Sequence, residues 1–447
     1  MIRGPSLTNR LVDLLERPIS AAARGRAALH VLDWLGCAVI GVTTAPGGML
    51  AGYGRRHAGD SGCHAIGVGA VAAPVAAFVN GGLGNVLEMD DVHRTSILHP
   101  GPVVIPAALA CAERERTTAT AFLDAVIRGY EAVIRIGSSV GPGHYRYWHN
   151  TATCGPFGAA AAAASLLALD RRQTIHTLGS AGTQASGLWQ CREEGVMSKQ
   201  LHTARAAHAG LVSADLAALG FTGPAFILEG PTGLYAATCP DADPAAVTAD
   251  PEAPWKIFET SFKPWPACRH AHAAIDGALL LRREVVARDI ARLTVNTYPD
   301  ALRFCDCPEP RTTDEAKFSL QQAVAVTLVD GPPALAAFEP STLARAEIAA
   351  VRRRVTVAVS DPIASAYPRR YGAEIVATLT DGSLRRVVVP NAKGDPENPM
   401  TAGEIEEKAR TLMAAAKVAP PRIEAIISRT SALAAGGTLD ALVSLLP

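Results

Sequence analysis

The sequence predicts a mostly α protein in which a smaller α+β domain interrupts a large, discontinuous all-helical domain. Three observations predict it. Apolar residues recur at helical spacing through the first half of the chain. After about residue 260, alternating β-branched runs and a hairpin signal enter. From about residue 400 to 440 the helical signals return. Strands grouped between two blocks of helices indicate separate layers and not one alternating α/β sheet.

Residues 120–137 carry the clearest helical pattern. Phe122, Val126, Tyr130 and Val133 trace one face, and Asp124, Arg128, Glu131 and Arg135 trace the other. Apolar residues at a 3.6-residue period mark an amphipathic helix, here with Thr120 as the expected cap. Residues 21–39 read similarly. Residues 158–168, nearly all Ala and Leu, read as a buried central helix. Residues 72–89 and 102–113 also read as helices. DDVHRTSILHPGP between them does not, because Pro100, Gly101 and Pro102 stop a regular helix. Further on, residues 269–283 and 312–330 read as helices, and 290–298 and 352–360 as strands. Residues 372–390 form a hairpin around Asp381-Gly382. Thr401 followed by Glu404 is a capping box opening the return to helix. The expected division is 1–260, 261–395 and 396–447.

Composition narrows the function class. Of 447 residues, 49% are apolar and 19% charged, which describes a well-buried globular protein. Lys+Arg and Asp+Glu balance at 42 each, so net charge points to neither nucleic acid nor an anionic membrane as a partner. Nine scattered cysteines argue against a disulfide framework. The opening MIRGPSLTNRLVDLLE has no apolar secretory core, which predicts a cytoplasmic protein. Nucleotide loops and HExxH are absent from the sequence, and no metal or other cofactor is predicted.

Polar groups set into this apolar scaffold are the functional candidates. Glu88, Asp90 and Asp91 lie close together in NGGLGNVLEMDD. Glu88 and Asp91 would share a helix face, and neighbouring carboxylates can form an acid/base pair. His99, before the Pro100-Gly101 turn, and His149, before the Ala-rich helix, titrate near neutrality and suit proton transfer. A helix N-terminus after His149 would favour an anionic carboxylate. His144 is a weaker candidate. Lys199 and His202 open a small-residue helix. Lys263, Arg269, His270 and His272 cluster between prolines where the pattern changes from helical to mixed, a place for a polyanionic small molecule. Lys393 and Asp395 in KGDPENP read as structural.

Together VNGGLGNVLEMDD, HPG at 99–101, HNTATCGPFGAAAAA, the Lys199 segment, FKPWPACRHAH, AKFSLQQAVAVTLVDG and AKGDPENPMT resemble the MmgE/PrpD family over essentially the whole chain. The resemblance implies an α+β lid domain, a homodimer, and an active site between the domains for a small polycarboxylate substrate. It implies catalytic roles for His99, His149, Asp91, Lys199, Lys263 and Glu88. Asp90, Thr95, His202, Arg269, His270, His272 and Gln322 are expected to bind substrate. The first expectation is a cofactor-independent dehydratase of a hydroxy di- or tricarboxylate. A decarboxylase, an epimerase and a non-catalytic carboxylate-binding homologue are the alternatives. Departures from the family pattern fall at Glu88, often Asp; at Asn150, commonly Pro; and at Gln322, near which some members carry a Tyr. The connector before His99 also looks about one residue longer than in the decarboxylase.

Overall fold

In the computed structural model, which describes residues 4–447 apart from the side chains at positions 60 and 61, the chain divides into two compact units. One holds the residues up to Val86, Asp90–Thr260 and Thr401–Pro447; the other holds Leu87–Met89 and Ser261–Met400. The mostly α class with an α+β part is observed. Assignment of Leu87–Met89 to the second unit has no counterpart in the sequence pattern.

At the centre of the first unit lies the helix Asn150–Leu166, longer than the predicted 158–168 and almost wholly buried. Helices Gly101–Glu115, Ala119–Ser139 and Ser198–Ala218 pack around it. Small residues make this possible. A Cβ on Gly129 would stand 2.8 Å from the Gly158 carbonyl oxygen, and one on Gly158 would stand 2.9 Å from that of Gly129. On another side, a Cβ on Gly210 would lie 2.4 Å from the Ala159 methyl and 2.5 Å from the Ala160 nitrogen. Backbones therefore approach where ordinary side chains would hold them apart, and dispersion contacts accumulate over the crossings.

The Ala119–Ser139 helix is capped by Thr118, whose hydroxyl accepts from the Ala121 amide, and not by Thr120. Its polar face also differs from expectation. Glu131 and Arg135 are buried, bonded to one another at 2.6 Å, and Arg17 adds a second guanidinium on Glu131 at 2.7 Å. The C-terminal return is fixed by a buried pair: Lys408 Nζ donates to Asp33 Oδ1 at 2.6 Å. Its helix, Ala402–Ala415, opens with the predicted Thr401–Glu404 capping box.

In the second unit a four-stranded sheet runs in the order Val355–Val359, Ile290–Thr297, Ala373–Leu379, Leu384–Val389. The first pair is parallel and the others antiparallel. Gly382, at φ 83°, makes the predicted hairpin turn. Helix His272–Leu281 lies on the sheet, where Gly277 admits Ile375 and Val389. The 352–360 strand is shorter, Val355–Val359, and its expected apolar face is not uniformly buried: Val355 is buried while Val359 is exposed at its end. The 312–330 helix is broken at Phe318-Ser319 into Thr313–Lys317 and Leu320–Asp330.

Gly210→Ala forces the two central helices apart and is expected to cost about 1–3 kcal/mol. Gly25→Ala, where an added Cβ meets nothing within 4 Å inside helix Ala21–Gly41, should stabilise by about 0.5–1 kcal/mol. Urea-unfolding midpoints of the two variants should therefore move in opposite directions.

Candidate active site

Helix Ala73–Asn85 ends before the carboxylate segment. Glu88 takes a left-handed φ of 59°, so Glu88 and Asp91 do not share a helix face as the spacing predicted. Asp91 is 2% exposed and its two oxygens are both engaged. Oδ2 accepts from Tyr130 Oη at 2.6 Å and from His30 Nδ1 at 2.7 Å, while Oδ1 accepts from the Gly101 amide at 2.8 Å. Burial holds the His30 imidazole down at about 4, against the opposing pull of Asp91. It is therefore neutral at pH 7 and donates through Nδ1–H. A Cβ on Gly101 would lie 2.6 Å from Asp91 Oδ1, so the glycine of His-Pro-Gly is required by the approach of that carboxylate. Pro100 and Gly101 do not stop a helix; they begin one, Gly101–Glu115.

This anchor places His99. Its Nδ1 stands 2.9 Å from Asp90 Oδ2 and 2.9 Å from the Asp91 carbonyl oxygen. Both are acceptors, so Nδ1 carries the hydrogen and Nε2 is the nitrogen left to exchange a proton. Asp90 is itself held by Asn85 Nδ2 at 2.9 Å. The connector is also stitched to the start of the central helix. Asn150 Nδ2 donates to the Ser96 carbonyl at 2.8 Å, and the His99 amide donates to Thr151 Oγ1 at 3.0 Å. Thr95 sits exposed in the turn between His93 and Leu98.

His149 is the N-cap residue of the central helix and is 1% exposed. Its ring lies 6.4 Å from that of His99 and 4.4 Å from Trp189, centroid to centroid. Its Nδ1 is 3.2 Å from Nδ1 of His202. Burial, then the neighbouring His202, Lys199 and His99, push the His149 imidazole well below its ordinary value. Burial and Lys199 bring His202 down to about 4. Lys199 lies in the first turn of helix Ser198–Ala218. The first unit thus gathers Asp90, Asp91, His99, His149, Lys199 and His202. His144 is structural: its Nε2 meets Thr153 Oγ1 at 2.8 Å and its ring stacks on Trp148.

The remaining candidates belong to the second unit. Lys263, fully buried, donates to the Glu88 carbonyl at 2.9 Å, with the Glu88 carboxylate at 3.8 Å. Arg269 pairs with Asp395 and reaches His272 Nδ1 at 3.2 Å. His272 Nε2 in turn donates to the Ala267 carbonyl at 3.0 Å. His270 is packed between Phe304 and Tyr371 and bonded to Tyr298 Oη at 2.8 Å. Gln322 stands apart, donating to the Ala337 carbonyl and accepting from Arg352. Arg269, His270, His272 and Gln322 are thus seen building the α+β core.

His30, Tyr130, Asn85 and Trp189 escaped the sequence reading as site residues. His30 had a signal, a lone imidazole three residues before Asp33 in an apolar helix; Trp189 had none. Among the described residues no group of three or more His, Cys, Asp or Glu is disposed to hold a metal ion, and no single helix is long and apolar enough to cross a membrane.

A helical unit that the chain leaves and re-enters, with an α+β unit in the gap, defines a two-part protein in which a carboxylate orients the His99 imidazole. The chain belongs to the MmgE/PrpD family: the model of the MmgE/PrpD N-terminal domain matches residues 7–247 and that of the C-terminal domain residues 265–432. It is 28% identical to the cis-aconitate decarboxylase-like protein oryM of Aspergillus oryzae, covering 98% of this chain and 96% of that one. It is 25% identical to cis-aconitate decarboxylase of Homo sapiens, over 86% and 82% of the two chains. With the enzyme of that name from Aspergillus terreus the identity is 27%, over 87% and 84%. This kinship supports an enzyme of the lyase kind.

The buried His30 predicts acid lability. Its folded value lies below that of the unfolded chain, so its contribution is fully present above about pH 6.5 and is lost as pH falls toward 4. Between those limits each such histidine adds a slope of up to about 1.4 kcal/mol per pH unit. Urea midpoints of His30→Gln should show a shallower pH dependence than the wild type; an unchanged slope would contradict the assignment.

Proposed function

We propose that the protein is a cofactor-independent lyase that decarboxylates a small unsaturated tricarboxylate. The observation that carries this reading is the Asp90–His99 pair set beside a buried, neutral His149. As the C–CO₂ bond breaks, its electron pair spreads through the double bond into a conjugated carboxylate, and carbon then takes a proton. The imidazoles are the proton donors. Lys199 supplies positive charge for a substrate carboxylate, a stabilisation that strengthens where water is excluded. Kinship to a cis-aconitate decarboxylase-like protein over nearly the whole chain, and to cis-aconitate decarboxylases over most of it, favours this reaction over the dehydration first expected from the sequence.

Dehydration is the second reading, and one observation favours it. Two imidazoles with centroids 6.4 Å apart could divide the work, one removing a proton alpha to a carboxylate and the other protonating the departing hydroxyl.

The purified chain should release CO₂ from cis-aconitate in D₂O and place one deuterium on product carbon, followed by NMR. Loss of water from a citrate-like acid without CO₂ release would replace this reading with the second; no turnover of either would sink both. Asp90→Asn, which removes the carboxylate that holds His99 Nδ1–H, should lower kcat about 100-fold or more with a smaller change in KM.

A further inference from the structure

Decarboxylation consumes a proton at every turnover, and His149, the more buried of the two proposed imidazole donors, is almost sealed from water. The surroundings also oppose an imidazolium there. Lys199, His99 and His202 all act against a positive charge on His149, and Asp90 favours it only as a smaller influence. A conventional cycle in which His149 waits as a cation is thereby disfavoured. Imidazole offers another route, because its two nitrogens can exchange roles without the ring ever holding a full charge.

The geometry for that exchange is present. His149 Nδ1 and His202 Nδ1 are 3.2 Å apart, so one of them carries the hydrogen and the other accepts it. His202 is only half-buried, whereas His149 is buried. The Trp189 ring covers His149 at 4.4 Å, and the His149 amide donates to the Gly187 carbonyl, which fixes the ring's place at the head of the central helix. Gly187, at φ 122°, lies against His202; a Cβ there would stand 3.4 Å from His202 Cγ.

We propose that His202 is the proton relay of the site, passing a proton from solvent to His149 through the Nδ1···Nδ1 contact while His149 releases its own from Nε2. This rests on the decarboxylase reading for its place in a cycle. At rest, His202 holds hydrogen on Nδ1 and His149 on Nε2. As substrate loses CO₂, the His149 Nε2–H bond breaks and the proton goes to carbon. The His202 Nδ1–H bond breaks and that proton goes to His149 Nδ1. His202 takes a replacement from water at Nε2. One solvent proton enters and one C–H bond forms, with no charge stored on His149. Rotation or re-tautomerisation of the two rings restores the starting state. His202 acts through His149 and is a positioning and relay residue, in place of the substrate-binding role expected from the sequence.

The test uses the full chain. Nitrogen-15 NMR of the imidazoles reads the tautomers whether or not a substrate is known. Between pH 6 and 8 the wild type should show both rings neutral, His149 protonated on Nε2 and His202 on Nδ1. His149 should lose that preference in His202→Ala. A cationic His149 at pH 7, or a His149 tautomer indifferent to residue 202, would overturn the relay. With cis-aconitate as the probe, His202→Asn keeps an N–H donor near His149 but cannot pass a proton through itself. It should lower kcat about 100-fold with KM changed less than about threefold and with a raised solvent deuterium isotope effect. Wild-type kcat in His202→Asn would also overturn it. If no polycarboxylate turns over, the decarboxylase reading fails while the tautomer spectra still decide the relay.

Discussion

The carboxylate of Asp91 is the constraint on which the rest of the candidate site depends. It is buried, and a buried carboxylate persists only where its oxygens are satisfied. A phenol, a neutral imidazole and a backbone amide meet it from two helices and from the first residue of a third. Each bond to a charged acceptor is worth about 1.5–3 kcal/mol net. Together they fix where the Gly101–Glu115 helix begins. Since His99 lies two residues before that start and its Nδ1 faces the Asp91 carbonyl, the same anchor sets the ring's direction. Asp91 thus acts on the candidate chemistry through backbone placement, and Asp90 supplies the direct carboxylate contact.

Charge is distributed to suit that arrangement. The imidazoles of His30, His149 and His202 are all kept from protonating chiefly by burial, with a nearby cation adding to it in each case, Arg26 for His30 and Lys199 for the other two. Neutral imidazole is the form that can both give and accept a hydrogen bond, so depressing these groups preserves their versatility near pH 7. In the α+β unit the charges are instead committed. Lys263 to Glu88 and Arg269 to Asp395 are buried ties, and removing one partner of such a pair costs about 3–5 kcal/mol because the other charge stays behind. Glu88 adds a left-handed backbone, held in place by the Lys263 bond to its carbonyl.

Local rules made much of the fold legible. Period 3.6 over 120–137 identified the helix observed at Ala119–Ser139, Asp381-Gly382 identified the hairpin, and Thr401 with Glu404 identified the return to helix. Those signals depend on residues a few positions apart. What escaped depends on distant partners. Glu131 and Arg135 have the spacing of a solvated face, yet Arg17, 114 residues from Glu131, lets the helix bury them. His30 lies 61 residues from Asp91, and nothing local to either one announces the bond. Of the basic cluster at 263–272, the chemistry of the side chains was evident, but the aromatic packing of His270 arises from Tyr298 and Phe304, at the two ends of one short helix, and from Tyr371, all distant in sequence.

Asn150 shows how one polar side chain can tie the central helix to the connector before His99. It occupies the first helical position after His149, where Pro is favoured because its fixed φ suits a helix and its missing N–H would have no intrahelical acceptor. Asparagine gives up that preorganisation, but its side chain reaches the Ser96 carbonyl at 2.8 Å and closes a bond that proline cannot make. Ser96 lies in the connector that leads to His99, and Thr151, the next residue, takes the His99 amide. Here the head of the central helix is tied to the connector through two adjacent side chains. Fixing the connector costs roughly 1–2 kcal/mol of conformational entropy for each backbone residue held, and the Asn150 bond is placed to offset part of that cost.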